Sequence, residues 1–171
     1  MSYPEYLVAP MRDELTRLGV EEARTAADVD AAFAQPGTTL LVVNSVCGCA
    51  AANARPAIAL ARQHGTQPDR YVTVFAGQDT DATARARALM PGVAPSSPSI
   101  FLIQDGEPVF AVERRHIEGR TASAIATDLV NAFDRVCGAS GDGAGQDVSR
   151  PDVPAADPAQ SGLPSTFRSI L

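Results

Sequence analysis

The feature that most constrains this chain is a pair of cysteines between a strand-forming run and a helix-forming run. Residues 38–44, Thr-Thr-Leu-Leu-Val-Val-Asn, are nearly all apolar or β-branched, which is typical of a central strand buried on both faces. Cys47, Gly48 and Cys49 come next, and residues 50–63 form an alanine-rich helical run. The pattern predicts a strand-to-helix junction that carries two thiols at the first helical turn.

This position predicts the chemistry of Cys47. The N–H groups of a first helical turn lack intrahelical partners, and the positive end of the helix dipole lies beside the sulfur. We therefore expect the pKa of Cys47 to lie below the free value of about 8.5, and Cys47 to be the nucleophile of the pair. Gly48 supplies backbone freedom for a short disulfide ring with Cys49, and strain in that ring would make it easy to reduce. The predicted chemistry is thiol–disulfide exchange.

Other interpretations of the cysteine pair stay open. A Cys-x-Cys peptide can bind metal, but a closed zinc site needs four ligands, and the further candidates Cys137, His64 and His116 are distant in sequence. No metal site is therefore predicted. Two buried small hydrophobes are a second alternative, since free cysteine is often interior. Cys137, at the end of the last predicted helix, is an alternative to Cys49 as the resolving thiol.

Composition limits the class of protein. A chain of 171 residues is long enough for one domain with a core. Its net charge of −6 argues against nucleic-acid binding. It has no charged-then-apolar leader and no apolar run near the roughly 20 residues that a membrane span requires, so we expect a cytoplasmic protein. Three cysteines do not make a disulfide framework, and in a reducing compartment a close pair is more often catalytic or metal-binding.

Hydrophobic periodicity and turn residues predict the remaining elements. Pro56 should kink the helix after the cysteines near residues 52–56, and Asp79 or Thr80 should cap the next helix. The composition changes after Gly138, so residues 1–138 are predicted to be the folded domain and residues 139–171 a disordered tail. The predicted helices cover residues 4–18, 26–34, 50–63, 80–90 and 121–137, and the predicted strands residues 20–24, 38–44, 70–76, 99–104 and 108–113.

This order of elements predicts a three-layer α/β domain with a central mixed sheet flanked by helices. It is similar to the thioredoxin order, with an extra N-terminal helix. In that fold the active site follows the first central strand, and a cis-proline precedes the first strand of the hairpin. Cys47 and Pro98 occupy these two positions, so we expect the Ser97-Pro98 bond to be cis and the Ser97 backbone to face the sulfurs, where a client chain could pair with it.

Four segments in order resemble the bacilliredoxins. They are residues 44–57, which contain Asn-Ser-Val-Cys-Gly-Cys-Ala-Ala and Ala-Arg-Pro-Ala; residues 72–79, Val-Thr-Val-Phe-Ala-Gly-Gln-Asp; residues 94–99, Ala-Pro-Ser-Ser-Pro-Ser; and residues 115–119, Arg-His-Ile-Glu-Gly. The likeness covers about residues 3–137. The tail after Gly138 is a departure from the family pattern as we know it.

The resemblance implies an enzyme that removes bacillithiol, a low-molecular-weight thiol, from mixed disulfides on proteins. Bacillithiol would be a co-substrate, and no bound cofactor is implied. The partners would be bacillithiolated clients and a recycling thiol or reductase. Arg115 and His116, near the end of the hairpin's second strand, could attract the carboxylates of bacillithiol, although a solvated charged edge explains them equally. A general thioredoxin-like reductase or isomerase and a metal-binding or thiol-sensing module remain alternatives.

Overall fold

Five strands form one mixed sheet in the order β1-β3-β2-β4-β5 in the computed structural model, which describes residues 2–138. Strands β1, β3 and β2 are parallel, and the β4-β5 hairpin adds antiparallel strands on the other side of β2. The strands are β1 (Glu21–Glu22), β2 (Thr38–Asn44), β3 (Arg70–Phe75), β4 (Ser99–Gln104) and β5 (Glu107–Val112). The helices are α1 (Glu5–Thr16), α2 (Ala26–Phe33), α3 (Arg55–Ala61), α4 (Thr80–Ala88), α5 (Arg114–Ile117) and α6 (Ala122–Val136).

Strand β2 is the centre of the domain because both of its faces are buried. Leu40 and Val42 belong to the apolar core shared with α1, α3 and α6. Leu41 and Val43 point the other way and belong to the core shared with α2 and α4. This alternation follows from the two-residue period of a strand. The sheet order and the three layers confirm the predicted thioredoxin-like fold with its N-terminal helix.

The helix after the cysteines does not simply kink at Pro56. A π-helical turn over Ala50–Ala54 comes first, and α3 begins at Arg55 with Pro56 in its first turn. Proline has no N–H to donate four residues back, so one α-helical hydrogen bond cannot form at this point. The preceding residues take the wider π-helical winding instead, which is common near functional sites.

Asp79 does not cap α4 as predicted. It occupies the N-cap position, but its side chain makes no capping hydrogen bond. Its two carboxylate oxygens accept hydrogen bonds from the buried Arg12 of α1 at 2.7 and 2.9 Å. A bidentate ion pair with a guanidinium is stronger than a single hydrogen bond to a backbone N–H, so the Asp79 side chain binds α1, and only its backbone carbonyl, which accepts from the Thr83 N–H at 2.9 Å, begins α4.

The end of the hairpin also differs from the prediction. Strand β5 ends at Val112, and Arg114 begins the short helix α5 where a strand end was expected. The turn itself is as predicted, with positive φ angles of 50° at Asp105 and 86° at Gly106. The predicted tail, residues 139–171, lies outside the described residues. Within residues 2–138, none of the helices combines the length and the apolar character that a bilayer crossing requires.

Candidate active site

Three separate segments of the chain meet at one edge of the sheet. β2 ends at Asn44, which is paired with Phe75, the last residue of β3. β4 runs antiparallel to β2, so its first residue, Ser99, lies opposite Val43. The segments after β2 and β3 and before β4 therefore share this edge, where they line an open cleft of about 320 Å³ that contains Cys47.

Cys47 is a half-buried free thiol at the start of the helical segment. Burial acts to raise its pKa, but hydrogen bonding to the Cys49 thiol, the Ser45 hydroxyl and the N–H groups of Ala50 and Cys49 outweighs it, so the pKa of Cys47 is lowered. The Ser45 Oγ donates to the Cys47 Sγ at 3.3 Å. These donors stabilise the thiolate, which is the reactive form of cysteine.

The pKa of Cys49 is shifted in the opposite direction. Burial, the hydrogen bond to Cys47 and the negative charge of Cys47 raise the pKa of the Cys49 thiol, and the nearby Arg114 only partly opposes them. Cys47 is therefore the more acidic thiol of the pair. This is the order of acidity expected from the sequence.

A buried arginine, Arg55, hydrogen-bonds to the segment that precedes the cysteines. Arg55 at the start of α3 is 4% exposed. Its Nη1 donates to the Asn44 Oδ1 at 3.2 Å and to the Ser45 carbonyl at 3.3 Å, and its Nε donates to Glu14 of α1 at 2.6 Å. The Asn44 Oδ1 also accepts from the Ser45 N–H at 2.9 Å. The backbone that enters the cysteine motif is thus fixed to two helices.

The Ser97-Pro98 peptide bond is cis, as expected. Ser97 lines the cleft with Cys47, and Pro98 is buried behind it. The Ser97 carbonyl accepts a hydrogen bond from the Nη1 of Arg114 at 3.3 Å. Arg114 lines the same cleft, so the structure brings Cys47, Ser97 and one of the hairpin cations together.

Arg115 and His116 are placed differently from the sequence expectation. Arg115 does not line the cleft; its side chain is 72% exposed and lies 3.0 Å from the carboxylate of Glu113. His116 is half-buried, and its Nδ1 accepts a hydrogen bond from the Glu113 N–H at 3.2 Å. The cation that faces the cysteines is Arg114, the residue before Arg115. The reason is that α5 begins here, so successive side chains turn by about 100° instead of alternating.

Sequence reasoning missed two residues of the cleft. Tyr3 is fixed by the side-chain amide of Gln78, which accepts from the Tyr3 N–H and donates to its carbonyl, each at 2.9 Å. Arg87 comes from the last turn of α4. Neither residue carries a sequence signal for the cleft. An arginine near a helix end, such as Arg87, is usually a solvated partner of the helix dipole.

No metal-ligand set is present within the part of the chain that the structure describes. Among residues 2–138, no group of three or more histidine, cysteine, aspartate or glutamate side chains is arranged to hold a metal ion. His64 lies 2.8 Å from Asp134, and Cys137 packs against the core near Thr38.

The fold and the site together define a thiol–disulfide oxidoreductase of the thioredoxin-like class. A family model described as "Disulphide isomerase" matches residues 3–137. A protein named bacilliredoxin from Salinibacter ruber is 57% identical over 99% of both chains, and one from Koribacter versatilis is 53% identical over 81% of this chain and 96% of its own. The chain belongs to the bacilliredoxin family.

The similarity to the Salinibacter ruber relative extends into the tail of the chain. The alignment with the Salinibacter ruber relative covers nearly the whole chain, so a segment that corresponds to residues 139–171 exists in that relative as well. The tail is therefore not peculiar to this chain, whereas the sequence alone suggested a departure from the family pattern. A solved thioredoxin of Fasciola hepatica aligns with 68% of this chain and 99% of its own, at 19% identity and a TM-score of 0.49.

Proposed function

We propose that this protein removes bacillithiol from mixed disulfides on client proteins. The observation that carries the proposal is the contrast between two neighbouring thiols: the pKa of Cys47, which lines an open cleft, is lowered, whereas the pKa of Cys49 is raised. Membership of the bacilliredoxin family supports bacillithiol as the co-substrate. We place this activity in the cytoplasm, where a reducing environment keeps both cysteines free.

The first step is a thiol–disulfide exchange. The Cys47 thiolate attacks the bacillithiol sulfur of the mixed disulfide. A new S–S bond forms between Cys47 and bacillithiol, and the S–S bond between bacillithiol and the client breaks. The client leaves as a thiolate that takes a proton from solvent, so the client is reduced and the disulfide now lies on the enzyme.

The second step uses the change in charge at Cys47. Once its sulfur is in a disulfide, Cys47 no longer holds the charge and hydrogen bond that raise the pKa of Cys49, whereas Arg114 still favours the Cys49 thiolate. Cys49 then attacks the Cys47 sulfur, and bacillithiol leaves as a thiolate. The Cys47–Cys49 disulfide takes two electrons from a thiol or dithiol reductase to restore the enzyme. Direct attack by a second bacillithiol on the mixed disulfide is the alternative route.

Intact mass spectrometry tests the proposal. Wild type, Cys47→Ala and Cys49→Ala would each be incubated with a bacillithiol-modified client. We expect the mass of bacillithiol to appear on Cys49→Ala and not on Cys47→Ala. If Cys47→Ala keeps full activity and Cys49→Ala loses it, the assignment of the nucleophile is wrong; if bacillithiol moves onto no variant, the proposed substrate is wrong.

A general disulfide reductase or isomerase is the second candidate, and the description of the matching family model favours it. The same two cysteines would act on protein disulfides without bacillithiol. A client panel that pairs bacillithiolated proteins with proteins that carry scrambled disulfides separates the two functions. Metal analysis of protein purified without chelator tests the third possibility, a metal-binding or thiol-sensing site at Cys47 and Cys49.

A further inference from the structure

The charge of the cleft is opposite to the charge of the chain. The chain carries a net charge of −6, yet the only charged side chains among the described residues that line the cleft beside Cys47 are two arginines, Arg87 and Arg114. No carboxylate lines it. A cationic cleft on an acidic protein favours an anionic ligand.

The side chain of Arg87 has no partner among residues 2–138. The guanidinium makes no ion pair or hydrogen bond there, and its Nε is buried without an acceptor. The hydroxyl of Ser96 is buried and unpaired in the same way, and both residues line a narrow apolar recess beneath the loop that precedes Pro98. Buried donors without acceptors are rare and costly in native proteins.

Arg114 is different because it is already engaged. Its Nε donates to Glu118 at 2.6 Å, and its Nη1 donates to the Ser97 carbonyl. It is also the arginine whose charge acts on the Cys49 thiol. Arg114 therefore belongs to the thiol chemistry, whereas the side chain of Arg87, which has no partner among residues 2–138, is left to contact whatever occupies the cleft.

We propose that Arg87 binds a carboxylate of the low-molecular-weight thiol while the sulfur of that thiol is at Cys47. The planar guanidinium can take a carboxylate in a bidentate hydrogen-bonded pair. Arg87 is then the residue that selects a carboxylate-bearing thiol over a neutral one. This inference rests on the proposed function, since it assumes that a small thiol is transferred.

An acidic side chain of the client protein could supply the same carboxylate chemistry. The two sources differ in one respect: a client carboxylate stays in place when the small thiol on that client is exchanged for a neutral one. One client protein modified in parallel with bacillithiol or with 2-mercaptoethanol therefore distinguishes them.

The experiment measures the rate constant for removal of each thiol from that client and takes their ratio, bacillithiol over 2-mercaptoethanol. A charge-assisted bidentate pair is worth about one order of magnitude in binding, so Arg87→Gln should lower the ratio about tenfold. Arg85→Gln is the matched control, because Arg85 lies in the same last turn of α4 but pairs with Asp30 outside the cleft. We expect Arg85→Gln to keep the wild-type ratio.

Arg87→Lys is a second variant in case Arg87→Gln does not fold. It keeps the positive charge, so it should keep part of the preference for bacillithiol over 2-mercaptoethanol. Melting temperatures of all variants accompany the rates. If Arg87→Gln slows both reactions equally, or neither, the inference is overturned while the proposed function stands. If the wild-type ratio is itself near one, the protein does not select a carboxylate-bearing thiol, and the inference is overturned while the proposed function stands. If the wild-type protein does not remove bacillithiol from the client at all, the proposed function is overturned as well.

Discussion

Among the side chains that line the cleft, Ser45 donates a hydrogen bond to the nucleophile. Its hydroxyl donates to the Cys47 Sγ, and its own backbone is fixed on both sides, by the Asn44 side chain at the N–H and by Arg55 at the carbonyl. The hydroxyl is thus held beside the sulfur rather than free to rotate away with the chain. A positioned donor of this kind stabilises a thiolate more than a thiol.

Ser45→Ala should therefore raise the pKa of Cys47. The thiolate persists above the pKa and is lost as the pH falls through it, so the variant should need a higher pH for the same reactivity. One hydrogen bond is worth about 1 kcal/mol, so we expect alkylation of Cys47 below its pKa to slow about fivefold. The measurement is the rate of iodoacetamide labelling of Cys47 between pH 5 and 9, with cleavage and mass analysis to assign the site.

Ser123→Ala, at an exposed position of α6, is the control for loss of a hydroxyl elsewhere. An unchanged pH profile in Ser45→Ala would mean that the Cys49 thiol and the backbone N–H groups set the ionisation of Cys47 without Ser45.

Gly48 is not required by the free-thiol form of the site. Its φ angle is not positive, and a Cβ at this position would meet no atom within 4 Å. The freedom that the sequence assigns to Gly48 concerns the ring-closed Cys47–Cys49 form, and that assignment stays a prediction.

At the scale of elements, Arg55 joins α1, the end of β2 and α3 through one buried guanidinium. Its side chain is 3% exposed, whereas its partner Glu14 is 49% exposed. Loss of the arginine would leave the Ser45 carbonyl without its guanidinium donor and would remove the ion pair that links α1 to the cysteine segment. Glu14 would return to water at little cost.

Arg55→Met should lower the free energy of unfolding by about 2–3 kcal/mol, because it removes one partner of a buried polar network. Urea unfolding followed by circular dichroism measures the change. Arg17→Met is the matched control, since Arg17 is 80% exposed and lies 3.4 Å from Asp13 on the surface of α1. Such an exposed pair contributes about 0.5 kcal/mol or less, and an equally small loss in Arg55→Met would contradict the role given to Arg55.

At the scale of the whole molecule, Cys137 and Cys47 lie at opposite ends of β2. Cys137 follows α6 and lies near Thr38, the first residue of β2. Cys47 follows Asn44, the last residue of that strand. A strand of this length spans about 20 Å, far beyond the Cα separation of about 7 Å that a disulfide permits. Cys137 is therefore not positioned to resolve a disulfide on Cys47.

Cys137→Ala should keep the wild-type rate at which bacillithiol is released from Cys47, whereas Cys49→Ala should accumulate the Cys47 mixed disulfide. Intact mass over time on both variants measures this difference. A disulfide-linked peptide that contains Cys47 and Cys137 in the digested wild-type protein would contradict the expected outcome.

Much of the fold could be predicted because its signals are local. The apolar run of β2 predicts its bounds correctly at Thr38 and Asn44, and Asp105 with Gly106 predicts the hairpin turn. The cis bond before Pro98 was expected from its position in a recognised order of elements. Within the site, the order of acidity of Cys47 and Cys49 followed from the strand-to-helix junction.

The sequence by itself thus determined the elements, their order and the reactive pair, since each depends on neighbours within a few residues. Only the tertiary structure decided that Asp79 binds Arg12, that Arg114 rather than Arg115 faces the cysteines, and that Arg87 lines the cleft. The residues brought together in this way are 40 to 67 positions apart, from Arg87 and Cys47 to Asp79 and Arg12. The direction of each side chain depends on how its element crosses the sheet. The physical reason is that periodicity sets which face of an element is buried, whereas a polar contact between elements is set by the packing of the whole domain.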